Sequence, residues 1–457
     1  MSEPRAWPTR RAAPVVSVVA ALVGAALVVG LALGLGASWF RASAPQSGPP
    51  TATSTATATS DDDARQLAAL TALLDARARA ATDHDRRAWL ATVDPDSTAF
   101  AARQAAAFDN FAAVPFASWS YEFLNRAPQL SQERVATLGG HPWVARVLAG
   151  YELKGFDSTR STVEQYLTVV RRDGRTYLAD DTDGGSAPQP WDLGRVHVVH
   201  GDHVLAMGTA SKATLSRYAA AGDRAVDRVG QVWGSAWSKG AVLVVPRTQA
   251  EFGKLLLRGA NGLDQVAAVT TGDLGATTTA DAQQAGVGRA GNDRVVLNPG
   301  AFARLGGTGQ RVVLTHELTH VAVRQSTTAA VPIWLSEGFA DFVGYRGAGV
   351  SQRVGAGDLL VLVRTGHGPK ALPGADDFDP TKTTIAPSYS GAWLACSLIA
   401  DTYGTDRLVA LYRLSAKAAG GADPQARLSA AFPDVLGVSE ATFTKQWRHY
   451  LSELAAE

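Results

Sequence analysis

The sequence predicts an α+β protein: a membrane helix, a linker, an α+β module, and a second, two-lobed domain that closes in helices. Three observations lead there. An uncharged apolar run lies near the start of the chain. Helical signals followed by strand signals fill its first half. Strand and helix then alternate before giving way to long apolar helical segments. The four parts span residues 1–40, 41–63, 64–208 and 209–457.

Residues 15–37 contain no charged side chain and, as a helix, would span about 34 Å, enough for the hydrocarbon core of a membrane. Arg5, Arg10 and Arg11 precede this run, so the N-terminus is expected to stay cytoplasmic and the folded part to lie outside. The run is longer than the apolar region of a typical signal peptide, which favours a retained single-pass signal anchor. The alternative is a secreted protein cut near Ala42-Ser43-Ala44. The Pro/Ser/Thr/Ala tract over 44–60 has no core-forming pattern and predicts a disordered spacer. A formal net charge of +1 gives no case for nucleic-acid binding.

The remaining chain is long enough for two domains with substantial cores. Residues 64–93 and 103–111 read as helices rich in alanine and leucine. Apolar or alternating runs at 162–170, 175–179 and 195–200, separated by Asp/Gly turns, read as strands. Helices leading into a curved antiparallel sheet, with the phrase Ala88-Trp89-Leu90-Ala91-Thr92, resemble the cone-shaped nuclear-transport-factor-like fold. That resemblance implies a module for positioning or recognition. Asp83, His84 and Asp85 read as a solvated helix face.

Next, Leu215, Tyr218, Val226, Val229 and Val232 fall partly in helical register over 211–232. Strands are expected at 241–246 and 266–271, with a helix at 249–258 between them. Asp293-Arg294-Val295-Val296-Leu297-Asn298-Pro299 reads as a short strand ending in a turn. Beyond the motifs described next, 392–403, 405–419 and 442–456 predict a mainly helical closing lobe, with the cleft between the lobes. Cys396 is the only cysteine, so no disulfide forms within the chain. Its apolar helix marks it as a small buried hydrophobe.

The chemistry concentrates in His316-Glu317-Leu318-Thr319-His320 and Trp334-Leu335-Ser336-Glu337-Gly338-Phe339-Ala340-Asp341. On a helix the i, i+4 spacing puts both imidazoles on one face, where they can share a metal ion, and sets Glu317 one position round. A third ligand must come from elsewhere, and Glu337, at the start of a second helix, is the natural candidate. Asp341 lies one turn later on the same face, suited to accept the other ring N–H of His316 or His320. Val312, Val313, Leu314, Val321, Ala322 and Val323 already bury most of this segment. Two histidines and a glutamate set among them without a role would be costly.

These motifs resemble the gluzincin branch of zinc metallopeptidases, in which HExxH is followed by a glutamate ligand on a second helix. The match runs from about residue 218 to the C-terminus. It implies a zincin-like fold, a Zn2+ ion held by His316, His320 and Glu337, Glu317 as general base and proton shuttle, and Asp341 behind a ligand. Tyr389, opening the run Tyr389-Ser390-Gly391-Ala392-Trp393-Leu394, resembles the tyrosine that such enzymes direct at the oxyanion; it reads equally as an aromatic packed at a helix start. Val295, Val296, Leu297 and Asn298 resemble the edge strand that pairs with extended substrate, or form a simple core strand. His367, in Thr365-Gly366-His367-Gly368, reads as an ordinary loop histidine. Sixteen residues separate His320 from Glu337, fewer than in thermolysin-like and aminopeptidase members, which leaves less chain for the substrate cleft.

The activity implied is zinc-dependent hydrolysis of a peptide or protein substrate outside the cytoplasmic membrane, with no covalent acyl-enzyme. Two alternatives stay open: a membrane-anchored binding or assembly protein that keeps an inactive fold, and a hydrolase of a non-peptide amide or ester. The sequence leaves the oligomeric state and the cleavage specificity open.

Overall fold

Leu70 and Leu74, one turn apart, bury one face of the helix Asp61–Thr82. They pack with Val93 and Phe100 against Ala145, Val147, Leu167 and Val169 of a four-stranded antiparallel sheet. Its strands are β1 (Phe116–Arg126), β2 (Trp143–Leu153), β3 (Ser161–Arg172) and β4 (Arg175–Asp180), paired in chain order. Asp173 and Gly174, with φ of 47° and 78°, close the β3–β4 hairpin, the left-handed pair that a two-residue turn between twisted strands requires. The residues described by the computed structural model are 61–127, 129–256, 266–272, 291–379, 385–418 and 423–456. The expected membrane helix and linker lie outside them; among the described residues no helix is long and apolar enough to cross a membrane.

Asp85 lies in a turn rather than along a helix face: its side chain accepts from Ala88 N at 2.9 Å and caps the helix Arg86–Leu90. His84 precedes it with a φ of 54°.

The second sheet is five-stranded: β5 (His197–His200), β6 (Val204–Gly208), β7 (Ala241–Val244), β9 (Arg294–Leu297) and β8 (Ala268–Thr271), in that spatial order. The sequence reading assigns 197–208 to the first module, but β6 runs parallel to β7, and β5 extends the same sheet. Apolar patterning announces a strand without naming its neighbour. Alternate residues serve two cores. Ala206, Leu243, Val295 and Leu297 face the helices that follow. Leu205, Val242, Val244 and Val296 face Trp119, Tyr151 and Trp191 of the first module. Burial on both faces explains why these strands read as unbroken apolar runs.

β9 is therefore interior. β7 pairs with it in parallel and β8 antiparallel, so both its backbone edges are taken, and Val295–Asn298 is a core segment rather than a substrate edge. Asn298 caps the next helix, accepting from Gly300 N at 3.2 Å. Among the described residues the sheet ends in an antiparallel strand on either side, β5 at one edge and β8 at the other.

A buried ion pair ties the first module to β9. Arg294 donates to Asp157, in the β2–β3 turn, at 2.7 and 2.6 Å, with side chains 2% and 0% exposed. Removing one member of such a pair costs about 3–5 kcal/mol, because the other charge is left buried.

The C-terminal lobe is largely helical. The histidine helix, Gly306–Ser326, is buried on nearly every side. It crosses the glutamate helix, Ile333–Tyr345, which packs on the helix Ile385–Tyr403. Two glycines permit these close crossings. A Cβ on Gly344 would meet Val312 O at 3.0 Å, and one on Gly338 would meet Ala392 O at 2.3 Å. A methyl at Gly338 would push the helices apart, an overpacking cost of about 1–3 kcal/mol.

Candidate metal centre

The crossing at Gly344 brings three candidate ligand atoms together. His316 Nε2 and His320 Nε2 stand 2.9 Å apart, and Glu337 Oε2 lies 3.4 Å from the first and 3.6 Å from the second. His316 is fully buried, Glu337 is 2% exposed, and only His320 reaches partly to the surface. His316, His320 and Glu337 thus form a buried cluster compatible with metal coordination, as their spacing in the sequence implied.

Hydrogen bonding fixes which atoms face inward. His316 Nδ1 lies 2.8 Å from Asp341 Oδ1, and a carboxylate can only accept, so Nδ1 carries the proton. When the ring is neutral, its Nε2 lone pair faces His320 and Glu337. Glu337 Oε2 is buried and accepts no hydrogen bond among the described residues. Lone pairs from two rings and a carboxylate oxygen converging within 4.8 Å are compatible with a shared cation. The donor set of two imidazoles and one carboxylate suits a divalent metal such as Zn2+ and leaves a position open.

Electrostatics point the same way. Burial alone would lower the His316 pKa, but Asp341 and Glu337 outweigh it and lift it to about 10. Burial would raise Glu337, but His320 and His316 hold it down to about 2. Without metal, the site takes up a proton to supply the positive charge it lacks.

Glu317 is buried, and its Oε2 accepts from Thr270 Oγ1 of β8 at 2.5 Å. The same hydroxyl lies 3.3 Å from Glu317 O, so the edge strand is locked to the histidine helix at the proposed base. Thr270 escaped the sequence reading because a threonine in an apolar strand gives no sign of its partner.

Tyr389 is 2% exposed, and its hydroxyl has no hydrogen-bond partner among the described residues. Burial, with Glu337, Asp341 and Glu317 all near enough to act on it, pushes the phenol well above its ordinary pKa. It stays a neutral donor. His367 stands apart, exposed, with Nδ1 3.3 Å from Thr365 Oγ1. Cys396 is fully buried and packs where Gly338 crosses its helix; burial raises its thiol pKa, so it is no nucleophile.

No known protein-family model, curated protein or solved structure matches this chain.

Proposed function

We propose that the chain is a zinc-dependent peptidase of gluzincin type, held at the outer side of the cytoplasmic membrane by its N-terminal helix. The observation that carries this is the convergence of His316 Nε2, His320 Nε2 and the unpartnered Glu337 Oε2 beside a buried glutamate. When bound there, zinc supplies Lewis acidity for the carbonyl and for water.

The chain's own residues do the rest. Asp341 keeps the proton of His316 on Nδ1 and so keeps Nε2 free for a metal. Glu317, fixed by Thr270, takes a proton from the attacking water and returns it to the departing amine. Tyr389, having no partner at rest, is free to donate to the oxyanion as charge develops. Among the described residues β8 ends the sheet next to the histidine helix, which suits it to pair with an extended peptide backbone. This supports a peptide over a small ester as substrate.

The test is cleavage of a diverse peptide library by the intact chain as purified, after chelation, and after zinc is restored. The proposal expects cleavage that is lost on chelation and regained with zinc. Cleavage indifferent to chelation, or none by folded, zinc-loaded protein, contradicts it.

A further inference from the structure

One buried acid beside the metal centre has no part in the scheme above. Asp293, just before β9, is 5% exposed, and among the described residues neither of its carboxylate oxygens accepts a hydrogen bond. A buried carboxylate in that condition needs a reason. Among the described residues its ion-pair partner is Arg324, whose Nη2 lies 3.2 Å from Oδ1. Arg324 follows His320 by four residues on the histidine helix, so Asp293 sits over the helix face that carries His320. Burial raises its pKa, and Arg324, Arg294 and His320 oppose that, which places His320 within its electrostatic reach.

The position of Asp293 is set by the first module. Ser158 N donates to Gly291 O at 2.9 Å, and Asn292 Nδ2 to Arg160 O at 3.4 Å. Arg294 is gripped by Asp157, and its Nη2 also donates to Ser161 Oγ at 3.0 Å. Gly291 has a φ of 141°, and a Cβ there would meet Ser158 Oγ at 2.1 Å, so the segment admits only glycine at this crossing. The residues on both sides of Asp293 are thus anchored to the β2–β3 turn.

The geometry points to Asp293 as a positioning residue for His320, accepting from its Nδ1 across one bridging water, where Asp341 accepts from His316 directly. The first module thereby becomes part of the metal site's support. This rests on the reading of His316, His320 and Glu337 as metal ligands.

The test measures zinc affinity by competition with a chelator, together with the thermal midpoint of the metal-free protein, for the intact chain, Asp293→Ala and Asp293→Asn. Asp293→Ala should bind zinc about 10–100-fold more weakly with no fall in the metal-free midpoint. Asp293→Asn, which keeps an acceptor oxygen, should recover most of the affinity. Unchanged affinity in Asp293→Ala, or a loss that follows the metal-free midpoint in both variants, overturns the inference and leaves the metal reading standing. No zinc uptake by the unsubstituted chain overturns the metal reading and this inference with it.

Discussion

Thr270 Oγ1 donates a 2.5 Å hydrogen bond to Glu317 Oε2, joining the edge strand of the second sheet to the carboxylate assigned to proton transfer. A hydrogen bond to a charged group contributes about 1.5–3 kcal/mol. Thr270→Val keeps the shape and the strand preference while removing the donor. It should lower kcat about tenfold or more and leave zinc affinity unchanged; equal kcat would remove Thr270 from the catalytic arrangement.

Glu337 and Asp341 are proposed to serve a bound metal differently. Glu337→Ala removes a ligand and should abolish stable zinc binding. Asp341→Asn should weaken binding about 10–100-fold, through the ring of His316 that it orients. Titration with a competing chelator separates the two, and wild-type affinity in Glu337→Ala would exclude that residue as a ligand.

Tyr389 is assigned to the transition state alone. Tyr389→Phe should reduce turnover about a hundredfold, the usual loss for one oxyanion donor, with zinc content and KM little altered. Steady-state kinetics on a cleaved peptide decide this; full turnover would reduce Tyr389 to a packing residue.

The pKa directions at the centre predict a pH signature in the metal-free protein. His316 is raised from 6.5 to about 10, so its contribution to stability is fully present below pH 6.5 and is lost as pH rises towards 10. Glu337 is depressed from 4.5 to about 2, so its contribution holds above pH 4.5 and is lost as pH falls towards 2. A metal must displace the His316 proton, so apparent zinc affinity should rise between pH 7 and 10. Chelator competition across that range checks it, and a flat profile would contradict the protonated state assigned to His316.

The His-His-Glu cluster, compatible with metal coordination, was legible in the sequence because its geometry is local. Four-residue spacing on a helix puts His316 with His320, and Glu337 with Asp341, on common faces without knowledge of the fold. What escaped depends on which strands become neighbours. Val295–Asn298 and the run at 268–271 look alike as apolar segments, and only the pairing order makes the first interior and the second the edge. The same blindness assigned 197–208 to the first module. Gly338 was visible in the motif, but its purpose, letting the glutamate helix touch Ala392, appears only when the helices are packed.

The central claim is that Glu317 moves the proton at a metal-dependent hydrolytic site. The most direct measurement is zinc content and peptide hydrolysis, side by side, for the intact chain and Glu317→Gln. Zinc retained with hydrolysis lowered by about 10²–10⁴ is the predicted result. Full hydrolysis by the zinc-loaded variant would contradict it.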